Sequence, residues 1–375
     1  SYYLSVTWDP VWAKYSEARD LFGPDGDPLR EGDLLVQAEL AEALQLVADK
    51  GPDTFYGGEL GREIVETIHR DGGFMEIDDL ARYEATMRRP ITTEAWGWRI
   101  SANPPPAVGG AVLVHMLALL HDADLSDPVE RLSAIVEAQR TAMGFRRERY
   151  QDPSGIASAF EEAVEALAGA GRSLEEDAVP YIESNRRSSA TTHSSAADAD
   201  GYVCSVTESN GYGAGLVVRG MLLNNTLGEE ELNPLGVHYL KPGSRCHSNM
   251  APTIAEGPGI TVGLGSPGAD RIVGAIAQTL IRLAVDGASL EESVSAPRAH
   301  LDPRPEGETL CFEPGLPGET LCFEPGVPGE SGEFLARPYD EIHMYFGAVQ
   351  AASVTDEGLV AAIHDPRRSG GHILV

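Results

Sequence analysis

The hydrophobic pattern of the chain changes at Thr191, and this change limits the folds that are open to it. Before that residue, apolar side chains recur at helical spacing, and the segments end at glycines or polar turns. After it, short apolar runs typical of buried strands alternate with fewer helices. A chain that joins two such halves is expected to form a layered α/β or α+β fold.

The same patterns locate the individual elements. The predicted helices cover residues 33–49, 59–70, 109–120, 127–149, 155–168, 270–285 and 290–295. The predicted strands cover residues 99–102, 192–197, 202–207, 216–218, 260–264, 342–346 and 359–363. Residues 198–201 (Asp-Ala-Asp-Gly) are typical of a turn, so the two strands around them are predicted to form a β-hairpin.

The formal net charge of the 375-residue chain is −30. Such a charge repels nucleic-acid backbones and anionic lipids, so we expect neither nucleic acid nor membrane as a partner. No apolar run reaches the length of about 18 residues that a membrane-spanning helix needs. The chain begins at Ser1 rather than at methionine, and we expect that an upstream piece would carry any targeting signal.

The four cysteines are Cys204, Cys246, Cys311 and Cys322. None lies in a C-x-x-C or histidine/cysteine spacing, so we expect no structural zinc, no other metal and no cofactor. A disulfide between Cys311 and Cys322 stays open, with reduced thiols as the default. Cysteine usage therefore does not fix the compartment.

Residues 307–317 recur almost unchanged as residues 318–328. Two copies are too few for a solenoid, because stacked repeats need about three units to bury a shared core. We interpret the duplication as a surface-loop insertion with no catalytic role.

The segment Gly263-Leu-Gly265-Ser-Pro-Gly268 has the form of a dinucleotide-binding motif. It follows a predicted strand and precedes a predicted helix, with Asp286 further on, so a nucleotide-binding oxidoreductase is one hypothesis. The next segment is helical rather than a strand, and Pro267 stiffens the loop, so this hypothesis ranks behind the others. An anion site at the helix start and a plain strand-to-helix turn both fit the spacing.

Three further polar features have ordinary structural interpretations. His193 is expected to be a packed histidine, and the acidic run at residues 229–231 a solvated loop. Asp365-Pro366 is typical of a turn, and Arg367-Arg368 of a surface pair. Residue patterns alone therefore lead no further than a globular α/β domain that could be an enzyme.

Many short motifs in the correct order resemble those of gamma-glutamyltranspeptidases and their bacterial relatives. The resemblance runs from about Leu29 to the C-terminus. Its motifs lie at residues 32–37, 51–56, 78–80, 104–110, 191–194 (Thr-Thr-His-Ser), 206–207, 223–225, 250–253, 265–268 and 365–368 (Asp-Pro-Arg-Arg). Each motif is weak alone, but together they are specific. Residues 223–234 are more similar to the less-studied bacterial relatives.

The resemblance implies an α+β fold, the four-layer αββα sandwich of N-terminal-nucleophile hydrolases, with the N-terminal part of the family fold missing. It also implies that the precursor cuts itself between Ala190 and Thr191. Residues 1–190 would be the mainly helical C-terminal part of the large-subunit region, and residues 191–375 the small-subunit region. The two pieces would form a heterodimer or a higher oligomer, periplasmic or secreted by the same resemblance.

By the same resemblance, Thr191 is the nucleophile and its own freed α-amine is the base. A threonine hydroxyl is a weak nucleophile and needs an adjacent base. An α-amine titrates near about 7.7 to 8.0 and is tethered to the same residue, which suits that task at neutral pH. The implied reaction forms an acyl-enzyme from γ-glutamyl compounds such as glutathione. Water or an amino-acid amine then accepts the acyl group.

Other catalytic roles carry over by position in the motifs. Thr207 matches a threonine that hydrogen-bonds the amine or hydroxyl of the nucleophile. Gly268 and Ala269 match the glycine pair whose backbone N–H groups form the oxyanion hole, and alanine is a departure there. Ser209 and Asn210 fall where the family places substrate-binding side chains.

Four residues match the contacts that the family makes with the ends of the glutamyl group. Ser248 and Asn249 stand in place of the paired serines that hold the substrate carboxylate. Thr226 and Glu229 replace the glutamine and aspartate that receive the α-amino group. In the family, an upstream stretch absent from this chain supplies an arginine for the α-carboxylate.

Three alternatives to a γ-glutamyl hydrolase or transferase stay open. A cephalosporin-type acylase would apply the same chemistry to another amide. An inactive homologue or fragment would keep the fold and act, if at all, in binding or structure. The nucleotide-binding oxidoreductase would use residues 263–268 to hold a cofactor.

Overall fold

The computed structural model describes residues 8, 11–30, 32–169, 191–236, 239–303, 307–318 and 334–375. Two compact units divide the chain. The smaller draws on residues up to 87 and on residues 210–226, and the larger on residues 88–209 and 227–375. In the described part of the chain, no helix has both the length and the apolar character needed to cross a membrane.

Both units contain helices and strands. The helices are α1 (Ser16–Phe22), α2 (Ala38–Lys50), α3 (Asp53–Tyr56), α4 (Glu59–Arg70), α5 (Ile77–Ala81), α6 (Val108–Leu120), α7 (Pro128–Arg149), α8 (Ile156–Gly169), α9 (Arg271–Ala284) and α10 (Leu290–Ser295). The strands are β1 (Ile91–Ala95), β2 (Trp98–Ala102), β3 (Thr191–Ala197), β4 (Val203–Ser209), β5 (Val217–Val218), β6 (Met221–Leu222), β7 (Thr253–Gly257), β8 (Ile260–Gly265), β9 (Ala299–Asp302), β10 (Glu308–Phe312), β11 (Phe334–Pro338), β12 (Gln350–Thr355) and β13 (Val360–Ile363). Short 3-10 turns cover Trp12–Lys14, Thr226–Gly228, Glu230–Leu232 and Met344–Phe346.

The smaller unit packs around aromatic side chains at its N-terminal end. Trp12 and Phe22 are buried, and their ring centroids lie 5.7 Å apart. Gly213 has a φ of 73°, and a Cβ there would lie 2.9 Å from the Trp12 ring, so only glycine fits. Arg219, between β5 and β6, pairs with Glu63 of α4 at 2.6 Å and ties the strands to the helices.

The larger unit is built on a six-stranded antiparallel sheet in the order β1-β2-β7-β8-β12-β13. Helices α6 and α9 cover one face of this sheet, and α7 packs against α6. Helix α6 is apolar around most of its surface and almost entirely buried. Val262 and Leu264 of β8 pack into this helical layer. Because β2 pairs with β7, strands from before and after residue 190 share one hydrogen-bonded framework.

The β3–β4 hairpin covers the opposite face of the six-stranded sheet. Side chains alternate along β8, so Gly263 and Gly265 occupy that face. A Cβ on Gly265 would lie 2.4 Å from Cε1 of His193, and one on Gly263 would lie 2.7 Å from Val203. The glycines therefore permit a close approach of the hairpin. Helices, sheet and hairpin form three successive layers of the expected α+β sandwich.

A second, three-stranded sheet in the larger unit changes the interpretation of the duplicated segment. Strand β10 pairs with β9 antiparallel and with β11 parallel. It belongs to the first copy, and Leu310 and Cys311 are fully buried in it. The surface-loop interpretation is wrong for this copy, because its apolar run completes a buried sheet. The second copy beyond Gly318, including Cys322 and the question of a disulfide, lies outside the described residues.

Four charged side chains form a buried cluster in the larger unit. Arg367 hydrogen-bonds Glu313 at 2.8 Å and Asp365 at 3.1 Å, and Arg298 pairs with Asp365 at 2.8 Å. All four side chains are at most 2% exposed. The expectation that Arg367 lies at the surface is therefore wrong, because the carboxylates of Asp365 and Glu313 compensate its buried charge.

Two other expectations are overturned by the topology. Residues Met344–Phe346 form a 3-10 turn rather than the predicted strand, and Tyr345 stacks on Tyr339 with centroids 5.6 Å apart. The nucleotide-binding hypothesis fails because β8 runs antiparallel to β7 and β12, whereas a dinucleotide fold uses parallel strands. Asp286, which that hypothesis places on a ribose, pairs with Arg131 at 2.7 Å.

Arg367→Met is expected to lower the free energy of unfolding by about 3–5 kcal/mol, because it leaves two buried carboxylates without their shared cation. Urea unfolding followed by circular dichroism measures the loss. Arg99→Met is the control, since Arg99 pairs with Glu256 at the surface and such pairs contribute about 0–1 kcal/mol. Equal losses in the two variants would contradict a structural role for the buried cluster.

Candidate active site

The hairpin gathers a row of polar side chains on the face that it turns towards the sheet. Residues directly opposite each other in the ladder share a face. The pairs on this face are Thr191 with Ser209, His193 with Thr207, and Ser195 with Ser205. Thr191 begins β3 and is 7% exposed, so a potential nucleophile lies at the buried end of the row.

The side chain that contacts the Thr191 hydroxyl is Ser209. Thr191 Oγ1 donates to Ser209 Oγ at 3.1 Å. The sequence comparison assigned such a contact to Thr207, but the ladder register places Thr207 opposite His193. The Thr207 hydroxyl accordingly lies 2.8 Å from Nδ1 of His193. Ser209, predicted only as a substrate contact, therefore takes the position beside the hydroxyl.

His193 is a packed histidine, as the sequence predicts. Its Nδ1 contacts Thr207, and its Nε2 lies 2.9 Å from the hydroxyl of Ser195. Burial lowers the pKa of His193 to about 4, so the ring is neutral at pH 7. Since both ring nitrogens have hydroxyl partners, His193 supports β3 and is not positioned as a base for Thr191.

Arg368 brings a positive charge to the backbone of Thr191. Its Nη1 donates to the Thr191 carbonyl oxygen at 3.4 Å. Burial and the nearby charge of Arg271 both lower the pKa of Arg368. The neighbouring Arg367 is fixed in the buried ion-pair cluster, which positions Arg368. Sequence analysis missed this residue because a double arginine after a turn is typical of a surface.

Gly268 and Ala269, named here the oxyanion turn, connect β8 to α9. Their φ angles are 139° and 52°, and the second is unusual for a residue with a side chain. Within the described residues, neither backbone N–H group donates to a protein acceptor. Strained backbone with two available donors at the start of a helix is suited to binding an anion or a developing negative charge.

Ser248 and Asn249 lie beside the same turn. The Ser248 carbonyl accepts from the N–H groups of Val108 and Gly109 at 2.9 and 3.1 Å. Asn249 Nδ2 donates to Oδ1 of Asp270 at 3.3 Å. Asn249 and Ala269 both line a cavity of about 10 Å³. The structure thus brings together two of the segments that the sequence predicts for substrate and oxyanion binding.

The remaining predicted site residues are Glu229, Asn210, Thr226 and Ala190. Glu229 is 4% exposed, and its carbonyl oxygen accepts from Asn233 Nδ2 at 3.0 Å, so Glu229 is buried and does not fit the solvated loop expected for residues 229–231. Asn210 and Thr226 belong to the smaller unit, so their part in the site stays a prediction. Ala190, the residue before the predicted cleavage point, lies outside the described residues.

The chain is similar to known proteins over most of its length. The family model described as Gamma-glutamyltranspeptidase matches residues 3–375. The glutathione hydrolase proenzyme of Escherichia coli (strain K12) is 30% identical over 331 residues, which are 79% of this chain and 56% of that relative. The acylase ACY 1 proenzyme of Pseudomonas sp. (strain SE83) is 34% identical over 289 residues, which are 73% of this chain and 52% of that relative. The chain spans about half the length of the curated relatives it matches.

A solved structure establishes the fold. The crystal structure of cephalosporin acylase from Bacillus halodurans matches with a TM-score of 0.77 and 22% identity, covering 99% of this chain and 70% of that one. The predicted fold, an α+β sandwich of the N-terminal-nucleophile hydrolases, is confirmed by this likeness.

His193→Gln is expected to flatten part of the pH dependence of stability. Above pH 6.5 the histidine is neutral in both states, but between pH 6.5 and about 4 the unfolded chain takes up a proton that the folded chain resists. Stability is therefore lost as the pH falls through this window. The destabilisation caused by His193→Gln should shrink by about 2 kcal/mol from pH 7.5 to pH 5.

Urea unfolding of the wild-type chain and the variant at each pH measures this difference. His115, His247 and His300, whose pKa values burial also lowers to about 4, remain in both proteins and cancel in the comparison. A difference that stays constant with pH would show that His193 is not a buried neutral histidine.

Proposed function

This chain belongs to the gamma-glutamyltranspeptidase family, and we propose that it forms part of a self-processing amide hydrolase and acyltransferase with Thr191 as nucleophile. The observation that carries the proposal is the position of Thr191. It begins a buried strand, its hydroxyl contacts Ser209, and its carbonyl oxygen accepts from Arg368. Cleavage before Thr191 would free an α-amine at the same point.

The proposed mechanism needs no base beyond that amine. A free α-amine titrates near about 7.7 to 8.0, so an appreciable fraction accepts a proton at neutral pH. The amine takes the proton of the Thr191 hydroxyl as Oγ1 attacks the donor carbonyl. Ser209 holds the hydroxyl in place, and Thr207 acts indirectly by fixing His193. Collapse of the tetrahedral intermediate releases the amine product and leaves an acyl-enzyme.

The oxyanion turn would stabilise the negative charge that develops on the donor carbonyl. The N–H groups of Gly268 and Ala269 are the proposed donors. In enzymes that use an oxyanion hole, loss of one donor raises the activation free energy by about 2.7–4 kcal/mol. The guanidinium groups of Arg271 and Arg368 add positive charge nearby. Water then attacks the acyl-enzyme to complete hydrolysis, or an amino-acid amine completes transfer.

We propose γ-glutamyl compounds such as glutathione as donors. Ser248 and Asn249 would bind the donor carboxylate, and Asn210 is a further proposed substrate contact. Thr226 and Glu229 would bind the α-amino group. The relative named glutathione hydrolase proenzyme supports this choice.

A glutaryl-type acylase is the second candidate, because Glu229 is almost fully buried and so is poorly exposed for an incoming ammonium group. A glutaryl donor carries the terminal carboxylate of a γ-glutamyl donor but lacks its α-amino group. The relative named acylase ACY 1 proenzyme supports the same candidate.

The cleaved pieces are proposed to stay together as a heterodimer. Strand β2, before the cleavage point, pairs with β7 after it through residues 99–102 and 253–256. Separation would expose the apolar faces of α6 and the sheet to water, which is unfavourable in proportion to the area exposed.

Thr191→Ala is expected to abolish both chain cleavage and turnover, because it removes the hydroxyl that serves both reactions. Denaturing gels and intact mass should show residues 1–190 and 191–375 as two pieces in the wild type and one piece in the variant. Thr192→Ala is the matched control and should still be cut. Cleavage of Thr191→Ala at the same bond, or a new amino terminus at Thr192, would contradict the assignment. An uncut, inactive wild-type chain would favour the inactive-homologue alternative.

Glu229→Gln separates the two candidate donors. If Glu229 binds the α-amino group, the variant should lose about 10- to 100-fold in kcat/KM for γ-glutamyl-p-nitroanilide, as expected for a hydrogen bond to a charged group. Activity on glutaryl-p-nitroanilide should change far less. A wild-type preference for the glutaryl donor, with equal effects of the variant on both, would favour the acylase.

A further inference from the structure

Arg146 of α7 lies where three segments of the candidate site meet. Its Nη1 donates to Oδ1 of Asp270 at 2.6 Å, directly after the oxyanion turn. The same oxygen accepts from Asn249 at 3.3 Å. The Nη2 of Arg146 donates to the carbonyl oxygen of Glu231 at 3.3 Å, in the segment 229–232 that contains the predicted amino-group ligand. One guanidinium therefore connects the oxyanion turn with both predicted substrate-binding segments.

These contacts surround a common small space. The cavity of about 10 Å³ is lined by Arg146, Asn249, Ala269 and Asp270, with apolar residues of α6, α7 and α9 behind them. The Arg146 side chain is 11% exposed and that of its partner Asp270 is 36% exposed, so solvent screens this ion pair only in part. The packing of these residues leaves little room for the turn to shift while the guanidinium stays in place.

Asp270 depends on Arg146 for its charge as well as for its position. Burial alone would raise the pKa of Asp270, but the charge and hydrogen bond of Arg146 hold it below its usual value. Asp270 is thus an anion at neutral pH. It directly precedes α9 and accepts a hydrogen bond from Asn249. Removal of the arginine would take away the strongest favourable interaction of this anion and leave it the weaker charge of Arg271 and the hydrogen bond from Asn249, so the turn would be held less firmly.

We propose that Arg146 is a positioning residue that holds the oxyanion turn, Asn249 and the segment 229–232 in one productive arrangement. The inference rests on the proposed function for the roles of these three segments. Arg146 acts through the Asp270 carboxylate and the Glu231 carbonyl, and it does not contact the reacting atoms. Its planar fork of donors reaches two acceptors in fixed directions, which a lysine ammonium cannot do in the same way.

Arg140 is a matched control on the same helix. Its side chain is 14% exposed, and it pairs with Glu137 at 2.6 Å and with Glu308 at 2.8 Å. Neither glutamate belongs to the candidate site. Methionine keeps much of the apolar stem at either position. Arg140→Met and Arg146→Met therefore remove comparable ion pairs. Only Arg146→Met removes contacts with segments of the candidate site.

The experiment compares Arg146→Met, Arg146→Lys and Arg140→Met in the full chain by amide hydrogen exchange and steady-state kinetics. In Arg146→Met, exchange of the amides that are hydrogen-bonded to the three segments, those of Leu232, Met250, Arg271 and Ile272, should become about tenfold faster or more. Its kcat/KM for the preferred p-nitroanilide donor should fall about 100-fold, mainly through kcat, as expected for a misplaced catalytic group. Arg146→Lys should recover part of both properties, and Arg140→Met should change neither.

The outcomes separate this inference from the proposed function. If Arg146→Met resembles Arg140→Met in exchange and in kcat/KM, Arg146 is only structural and the inference is wrong. Faster exchange with unchanged kcat/KM also overturns it. A wild-type chain without turnover contradicts the proposed function, while the exchange comparison still decides whether Arg146 holds the three segments.

Discussion

The candidate site depends on the close packing of the β3–β4 hairpin against β8. Gly263 and Gly265 leave room for Val203 and His193, so the hairpin lies lower on the sheet than any larger residue would allow. This contact fixes both the depth and the register of β3. A slip by one residue would move Thr191 to the opposite face and bury Thr192 instead. The neutral, doubly hydrogen-bonded His193 holds the alignment at physiological pH.

Three arginines, Arg367, Arg368 and Arg146, are held by specific partners in a chain whose net charge is −30. Arg367 is compensated inside the buried cluster and is therefore rigid, which directs the next residue, Arg368, to the Thr191 carbonyl. Arg146 is compensated by Asp270 and is turned towards the loops rather than towards Thr191. The negative net charge disfavours binding of anionic macromolecules, whereas the buried arginines are paired with carboxylates.

Sequence analysis located the parts of the structure that have periodic or motif signals. The limits of α4 and α10 and the presence of the hairpin agree with the prediction, because their apolar spacing and turn residues are clear. Strand β12 was missed because Gln-Ala-Ala-Ser-Val-Thr lacks both large apolar residues and alternation. The contact of Ser209 with the Thr191 hydroxyl was missed because the pairing register decides it. Arg146 could not be found at all, since its partner Asp270 is 124 residues away and only the tertiary fold joins them.

The most direct test of the account is a crystal structure of the processed protein trapped with a slowly hydrolysed γ-glutamyl or glutaryl ester. The account predicts continuous density from the acyl carbonyl carbon to Oγ1 of Thr191. It also predicts that the acyl oxygen lies within hydrogen-bond distance of the Gly268 and Ala269 N–H groups. Acyl density on any other side chain, or a Thr191 still joined to residue 190 in active protein, would contradict it.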